Sequence, residues 1–192
     1  MSELAVLAES LETALGVTLD VVSGGNSSNL NWVLGAGDTG RVNDLRLGES
    51  ILVGREPLHR QPIDGLHTDA LTLVAEAIES KVKPSQPWGV IAETAFGHQP
   101  PPRDRGDIPQ VIFALGHQDT DPDGLRPPPG LTVLGSSSNH LIVDSGQERI
   151  RVGDEVAFQF NYSALVRVMT VGKVVVPDSE GGLRHAHHRS NT

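Results

Sequence analysis

The sequence contains no cysteine, which excludes a disulfide framework, a thiolate zinc site and a cysteine nucleophile, and is compatible with a reducing cytoplasm. It is also poor in positive charge. With 15 basic against 24 acidic side chains the formal net charge is −9, so nothing draws the surface toward a phosphate backbone or an anionic membrane. Nucleic acid and membranes are therefore not expected partners. No apolar run approaches the ~20 residues that span a bilayer, and the first residues, with Glu3 and Glu9, are acidic where a secretory signal is basic. A soluble cytoplasmic protein is the expectation. Aromatic residues make up 4% of the chain, Tyr162 is the only tyrosine, and lysine is confined to Lys81, Lys83 and Lys173. Those scarcities narrow the side chains available for acid–base or covalent chemistry. What is present suffices for a real core: 38% of the 192 residues are hydrophobic, enough for one domain or one and a half.

Leu4, Leu7, Ala8, Leu11, Ala14 and Leu15 recur at helical spacing, with Ser2 available as N-cap and Gly16 where a helix stops. This predicts an opening helix with one buried face. Residues 17–22 then read as a strand, residues 23–27 as a glycine-rich loop and residues 30–34 as a short helix ending at Gly35. Another strand-like piece at 44–47 runs into residues 48–54. Alternation of this kind builds parallel α/β structure. Beyond Pro57 the apolar runs are short and separated by Pro, Gly and Asp: residues 110–115, 131–134, 140–143, 149–160 and 164–176. That pattern predicts an antiparallel β domain. Residues 71–82 fit either a helix or one face of a strand. The two triple-proline stretches, 100–102 and 127–129, forbid regular structure locally. The expected organisation is an α/β portion at 1–66, an antiparallel β domain at 67–177 and a solvated tail at 178–192, with no internal repeat.

Two loops attract attention as anion sites. Ser23, Gly24, Gly25, Asn26 and Ser27 stand between a strand and a helix start, where backbone N–H groups and the positive end of a helix dipole hold an anion. Glycine lets the chain approach a ligand, and Ser27 adds a hydroxyl donor. The loop lacks G-x-G-x-x-G spacing and a Walker lysine, which weakens dinucleotide and nucleoside triphosphate readings; an ordinary turn is the competing reading. In the second loop Arg46 precedes Gly48 and Glu49, and alone it would read as a surface ion-pair partner. Together the two match the pair of loops that hold a phosphate after the last two strands of a (β/α)₈ barrel.

The segments 22–28 (VSGGNSS), 43–54 (NDLRLGESILVG), 112–119 (IFALGHQD) and 134–140 (LGSSSNH) resemble the alanine racemase-like, pyridoxal-phosphate-dependent amino-acid racemases, most nearly the branch that includes ornithine racemases. The resemblance runs in order from residue 1 to about 176. It implies the last strand–helix units of a barrel that holds pyridoxal 5'-phosphate, followed by a β domain whose loops complete a partner subunit's site. By that resemblance Asn26 and Ser27 bind the cofactor phosphate, Gly48 and Glu49 supply backbone donors, and Arg46 donates to the pyridine nitrogen. A guanidinium keeps its proton, so it leaves that nitrogen unprotonated and weakens the ring as an electron sink, which suits racemisation. Tyr162 either reaches the phosphate or packs at a β edge.

His117 occupies the position of a catalytic tyrosine in alanine racemases proper. It is either a second acid/base or a loop-structuring or substrate-contacting residue. As an acid/base it would titrate near about 6.5 where a tyrosine does so near about 10. Asp119, Asp121 and Asp123 imitate the start of a calcium loop, but Gly130 stands where its closing glutamate belongs. A turn offering Asp119 to a cationic substrate such as ornithine is the preferred reading. His185, His187 and His188 read as tail rather than as metal ligands, and no metal is expected.

The resemblance also implies a lysine that forms a Schiff base with the cofactor. None of the three lysines has a matching context, and about five or six strand–helix units of a roughly 250-residue barrel are unaccounted for. The preferred reading is the C-terminal portion of a racemase whose small-molecule substrate is an amino acid, as a homodimer or in complex with an N-terminal barrel half, and inactive alone. The alternative is a catalytically inactive pyridoxal-phosphate- or metabolite-binding protein, or a subunit-interaction protein, of the same descent.

Overall fold

The computed structural model describes residues 2–89, 103–171, 175–177 and 183–185, and the chain divides into two units, Met1–Leu71 and Thr72–Thr192. Unit 1 opens with helix α1 (Ser2–Leu15). Gly16 ends it with φ +65°, a left-handed conformation that glycine adopts without penalty. Strand β1 (Ser23–Asn26) leads through a 3₁₀ turn (Ser27–Asn29) into helix α2 (Leu30–Gly35). Strand β2 (Asp44–Arg46) then pairs parallel with β1, Ser23 opposite Asp44 and Asn26 opposite Arg46, and helix α3 (Glu49–Val53) follows. Gly54, at φ +65°, closes α3; a Cβ there would stand 2.1 Å from the His67 carbonyl oxygen, so glycine is required.

Two expectations for this unit need correction. The strand expected at 17–22 lies instead at Ser23–Asn26, on the glycines themselves. The preceding backbone groups are taken by side chains: Leu19 N–H donates to Glu12 (2.8 Å), Val22 N–H to the Asn43 carbonyl oxygen (2.9 Å), and the Asn43 amide donates to the Asp20 carbonyl (2.8 Å). Asn43 thus latches the approach to β1 onto the approach to β2. Helix α1 buries less than its pattern suggests. Ala8 packs with Val22 and Val42, with Leu4, Leu19 and Trp32 beside them, whereas Val6 (61%) and Leu15 (67%) are exposed, along with Leu7 and Leu11.

Unit 2 is a six-stranded antiparallel sheet of β3 (Leu73–Pro84), β4 (Asp107–Phe113), β5 (Leu125–Arg126), β6 (Thr132–Ser136), β7 (Leu141–Asp144) and β8 (Glu155–Phe160), in the order β5-β8-β3-β4-β7-β6. The ambiguous segment becomes β3: Leu73, Ala75 and Ala77 are buried while Val74 and Glu76 face out, the period of two expected of a strand. Phe113 and Phe158, both fully buried, meet edge to face with centroids 5.3 Å apart at the centre of a core shared with Val111, Leu141 and Val143. The run expected as strand at 164–176 is instead helix α4 (Tyr162–Val171), followed by strand β9 (Val175–Pro177). Ala164, Leu165 and Val168 turn to the core, and the Asn161 side chain caps the helix by accepting from Ala164 N–H at 3.0 Å. Strand β10 (Leu183–His185) pairs antiparallel with β9, inside the stretch read as tail. Pro100, Pro101, Pro102, His187, His188 and most of that stretch lie outside the described residues.

The architecture is thus parallel strand–helix units followed by an antiparallel β domain, as the sequence implies. Among the described residues no helix is long and apolar enough to cross a membrane. Because Phe158 is fully buried and packs edge to face on Phe113, Phe158→Ala is expected to destabilise unit 2 by about 3–5 kcal/mol. Urea unfolding checks this through a lower midpoint.

Candidate functional site

The two loops after the parallel strands β1 and β2 converge on one atom. Asn26 at the end of β1 uses its side-chain oxygen to accept from Ser28 N–H (3.0 Å) and Ser28 Oγ (2.5 Å), which turns the chain sharply. The turn places Ser27, itself buried, so that its Oγ accepts from the backbone N–H of Gly48 (3.3 Å) and of Ser50 (3.2 Å) in the loop after β2. A serine hydroxyl has two acceptor lone pairs and one proton. With both lone pairs engaged by peptide donors, the Ser27 proton is the group left to give. Ser50 is 0% exposed, and its Oγ has no hydrogen-bond partner among the described residues.

Around this cradle the other expected residues take distinct positions. Gly25 has φ +111°, and a Cβ there would come within 3.0 Å of the Asn29 side chain, so the close loop depends on glycine. The Glu49 carboxylate pairs with Arg60, which leaves only its backbone to face a ligand. Arg46 closes β2 with its side chain exposed, and no ion pair or hydrogen bond holds its guanidinium among the described residues.

Sequence reasoning missed the carboxylate knot that follows α3. Glu56, 5% exposed, accepts from the backbone N–H of Leu58 (2.7 Å), His59 (2.8 and 3.0 Å) and Gln61 (3.0 Å). The Gln61 N–H first, with those of His59 and Leu58, holds its carboxyl below the ordinary glutamate range. Its only sequence signal is a glutamate immediately before Pro57.

His117, Asp119 and Tyr162 belong to unit 2. His117 follows β4; its N–H donates to the Ser137 carbonyl (3.0 Å), its Nε2 shares a hydrogen bond with Ser136 Oγ (2.9 Å), and its carbonyl accepts from Arg167 Nη1 (3.3 Å). Asp119 accepts from Gly116 N–H at 3.0 Å, and Asp121 from Ser163 Oγ at 2.5 Å. Asp119, Asp121 and Asp123 do not gather as ligands: no group of three metal-binding side chains occurs among the described residues. Tyr162 is the first residue of α4 rather than a β-edge residue, because Asn161 caps the helix at that point. His117, Ser163 and Arg167 border an open groove of about 510 Å³ within this unit.

Comparison with known proteins matches this architecture. No family model matches the chain. It is 39% identical over 174 residues to an ornithine racemase from Acetoanaerobium sticklandii, and 39% identical over 175 residues to a lysine racemase from Thermotoga maritima. The chain is similar to these amino-acid racemases over about half of their length. Each match covers 88% of the chain and 49% of the relative, so the chain spans about half the length of these racemases. Among solved structures, a D-threonine aldolase from Filomicrobium marinum superposes with TM-score 0.58 at 13% identity, covering 93% of this chain and 43% of that one. An alanine racemase from Bartonella henselae with covalently bound pyridoxal phosphate superposes with TM-score 0.50 at 18% identity, covering 88% and 45%.

The lysines all lie outside unit 1. Residues 1–71 contain none. Lys81 and Lys83 both pair with Glu79 on β3; the hydrogen bond from Lys81, then that from Lys83, lowers the Glu79 carboxyl to about 2. Lys173 lies outside the described residues.

Glu56 yields a pH test. Its carboxyl is held below the usual value, so its contribution is fully present above the unfolded pKa of about 4.3 and is lost as pH falls through the lower folded value. Amide protection at Leu58, His59 and Gln61 is expected to persist at pH 5 and to collapse in stronger acid. Glu56→Gln is expected to lower that protection already at pH 7, read by NMR hydrogen exchange.

Proposed function

We propose that this chain supplies the phosphate- and ring-contacting portion of a pyridoxal-phosphate-dependent amino-acid racemase. The observation that carries the reading is the Ser27 hydroxyl, which accepts two backbone N–H groups from the neighbouring loop and so keeps its proton for an outside acceptor. The donor set fits a phosphate: the Ser27 hydroxyl proton and the Glu49 backbone N–H, beside a turn fixed by Asn26; the Gly48 N–H, expected as a ligand donor, and that of Ser50 are instead spent on holding Ser27 Oγ. Such an arrangement suits an anion, since each donor is oriented before the ligand arrives.

Arg46, exposed and without an ion-pair partner among the described residues, is assigned to the pyridine nitrogen. As a guanidinium it donates and does not surrender its proton. When bound, pyridoxal phosphate supplies the electron-withdrawing ring that makes an amino acid's α-hydrogen removable. The chain's own residues bind and orient: the Ser27 hydroxyl and the Glu49 N–H fix the phosphate, and Arg46 fixes the ring. The His117 imidazole, with Nε2 oriented by its hydrogen bond with Ser136 Oγ, is offered to the substrate as a contacting or acid/base group. Asp119 lies in the same turn, two residues on, where its carboxylate favours the amine of a cationic amino acid. Ornithine and lysine, named for the two relatives, are the substrates of choice.

Covalent anchoring and proton removal on one face need a lysine, and residues 1–71 have none to give. We assign that lysine to an N-terminal barrel half that pairs with this chain, with a homodimer completing the sites. Two features support a missing partner: β1 and β2 form a sheet of only two strands, and Val6, Leu7, Leu15, Val17, Val21 and Leu34 of unit 1 stand exposed. The same lack of lysine favours the second reading, a binding protein that holds the cofactor or a related metabolite without turnover. The proposed setting is the cytoplasm, in agreement with the absence of cysteine.

Pyridoxal phosphate is expected to bind the purified chain reversibly, followed by its fluorescence. Ser27→Ala is expected to weaken binding about tenfold, the worth of a hydrogen bond to a charged group. The chain alone is expected to show no racemisation of ornithine or lysine. Adding the N-terminal half of the Acetoanaerobium ornithine racemase is expected to produce it, measured by chiral chromatography. Turnover without any added half overturns the assignment of the lysine, and binding without turnover in the mixture favours the second reading.

A further inference from the structure

Two buried hydroxyls in unit 1, those of Ser23 and Ser50, have no partner among the described residues, and the second lies in the cradle itself. Ser50 is completely shielded from solvent, and its own N–H is one of the two donors that Ser27 Oγ accepts, at 3.2 Å. A buried hydroxyl without a partner costs free energy that a methyl group in its place does not. Native structures rarely leave such a group unsatisfied unless an ion or water completes it. Along α3, Ile51, Leu52 and Val53 continue as an apolar stretch, and alanine in place of Ser50 has the higher helix propensity.

We infer that the Ser50 hydroxyl is a further donor to the bound phosphate, which supplies the partner that the described residues do not. The inference rests on the proposed phosphate site. A serine side chain has three staggered positions, and leaving the present one forfeits no hydrogen bond. Ser27 cannot take over this role. Its two lone pairs are held by Gly48 and Ser50 N–H, and its single proton serves one ligand oxygen; a phosphate monoester presents three non-bridging oxygens. Ser50 therefore adds a second hydroxyl donor from the opposite loop, so that each loop contributes one. The cost is a less stable empty protein, in the manner of sites whose polar groups are paired only when occupied.

The test uses the full chain and three probes: pyridoxal phosphate, inorganic phosphate, and pyridoxal, which lacks the phosphate. Ser50→Ala is expected to raise or preserve the urea midpoint of the empty protein. The same variant is expected to weaken pyridoxal phosphate and inorganic phosphate about tenfold or more, with pyridoxal affinity unchanged. Equal affinity of both proteins for the two phosphates overturns the inference and leaves the phosphate site standing. A Ser50→Ala protein that is destabilised, or that loses pyridoxal to the same degree, overturns it in favour of a purely structural serine. If the unaltered chain binds neither phosphate, the proposed site falls and the inference with it. Ser50→Cys, of similar size and a weaker donor, is expected to lie between serine and alanine for the phosphates.

Discussion

One hydroxyl oxygen holds unit 1 in register. Ser27 Oγ accepts the N–H groups of Gly48 and Ser50 and so ties the turn after β1 to the start of α3, at the end where the short parallel ladder stops. Two strands of three and four residues carry little pairing energy of their own. Their alignment is instead set by polar clasps at both ends, Asn43 before the strands and Ser27 after them. The same clasp that aligns the strands determines where the donors point, so the geometry of the candidate site and the stability of its scaffold depend on the same bonds.

Unit 2 is organised on a different principle. Its sheet is held by an apolar core around Phe113 and Phe158, and its polar residues are satisfied locally: Asp119 by the Gly116 amide, Asp121 by Ser163, Ser136 by His117. The turn carrying His117 is braced from β6 and from α4. Gly116 permits this bracing, since a Cβ there would stand 2.5 Å from the Ser138 carbonyl oxygen. A rigid turn of this kind fixes an imidazole more closely than a free loop does.

Much of this was legible in the chain of letters, and what was not has a physical reason. Residues 23–27 and 46–49 announce a paired loop because glycine, asparagine and serine have few other uses directly after strand-like segments. The strand itself was misplaced by a few residues: β-branched Val17, Val21 and Val22 suggest pairing, but Glu12 and Asn43 take the backbone groups that pairing needs, and such long-range bonds have no local signature. Helix α4 was mistaken for a strand because Val166, Val168, Thr170 and Val171 are β-branched, while its burial on every third or fourth residue is hidden in a run that is apolar almost throughout. Glu56 and Ser50 escaped for opposite reasons. The first is a carboxylate whose partners are all backbone; the second is a polar residue in an apolar segment whose meaning lies in what it fails to touch. The tie between His117 and Ser136 depends on the β4-β7-β6 order of the sheet, a property of topology rather than of spacing.

The β1–β2 ribbon has a consequence for handling the protein. Within the described residues each strand offers one unpaired row of amides and carbonyls, a template for cross-strand stacking between molecules. A formal charge of −9 opposes that contact by mutual repulsion, and dissolved ions shorten its reach from roughly 30 Å at 0.01 M to about 3 Å at 1 M. Colloidal stability of the isolated chain is accordingly greatest in dilute buffer, and concentrated salt brings the ribbons within range of one another.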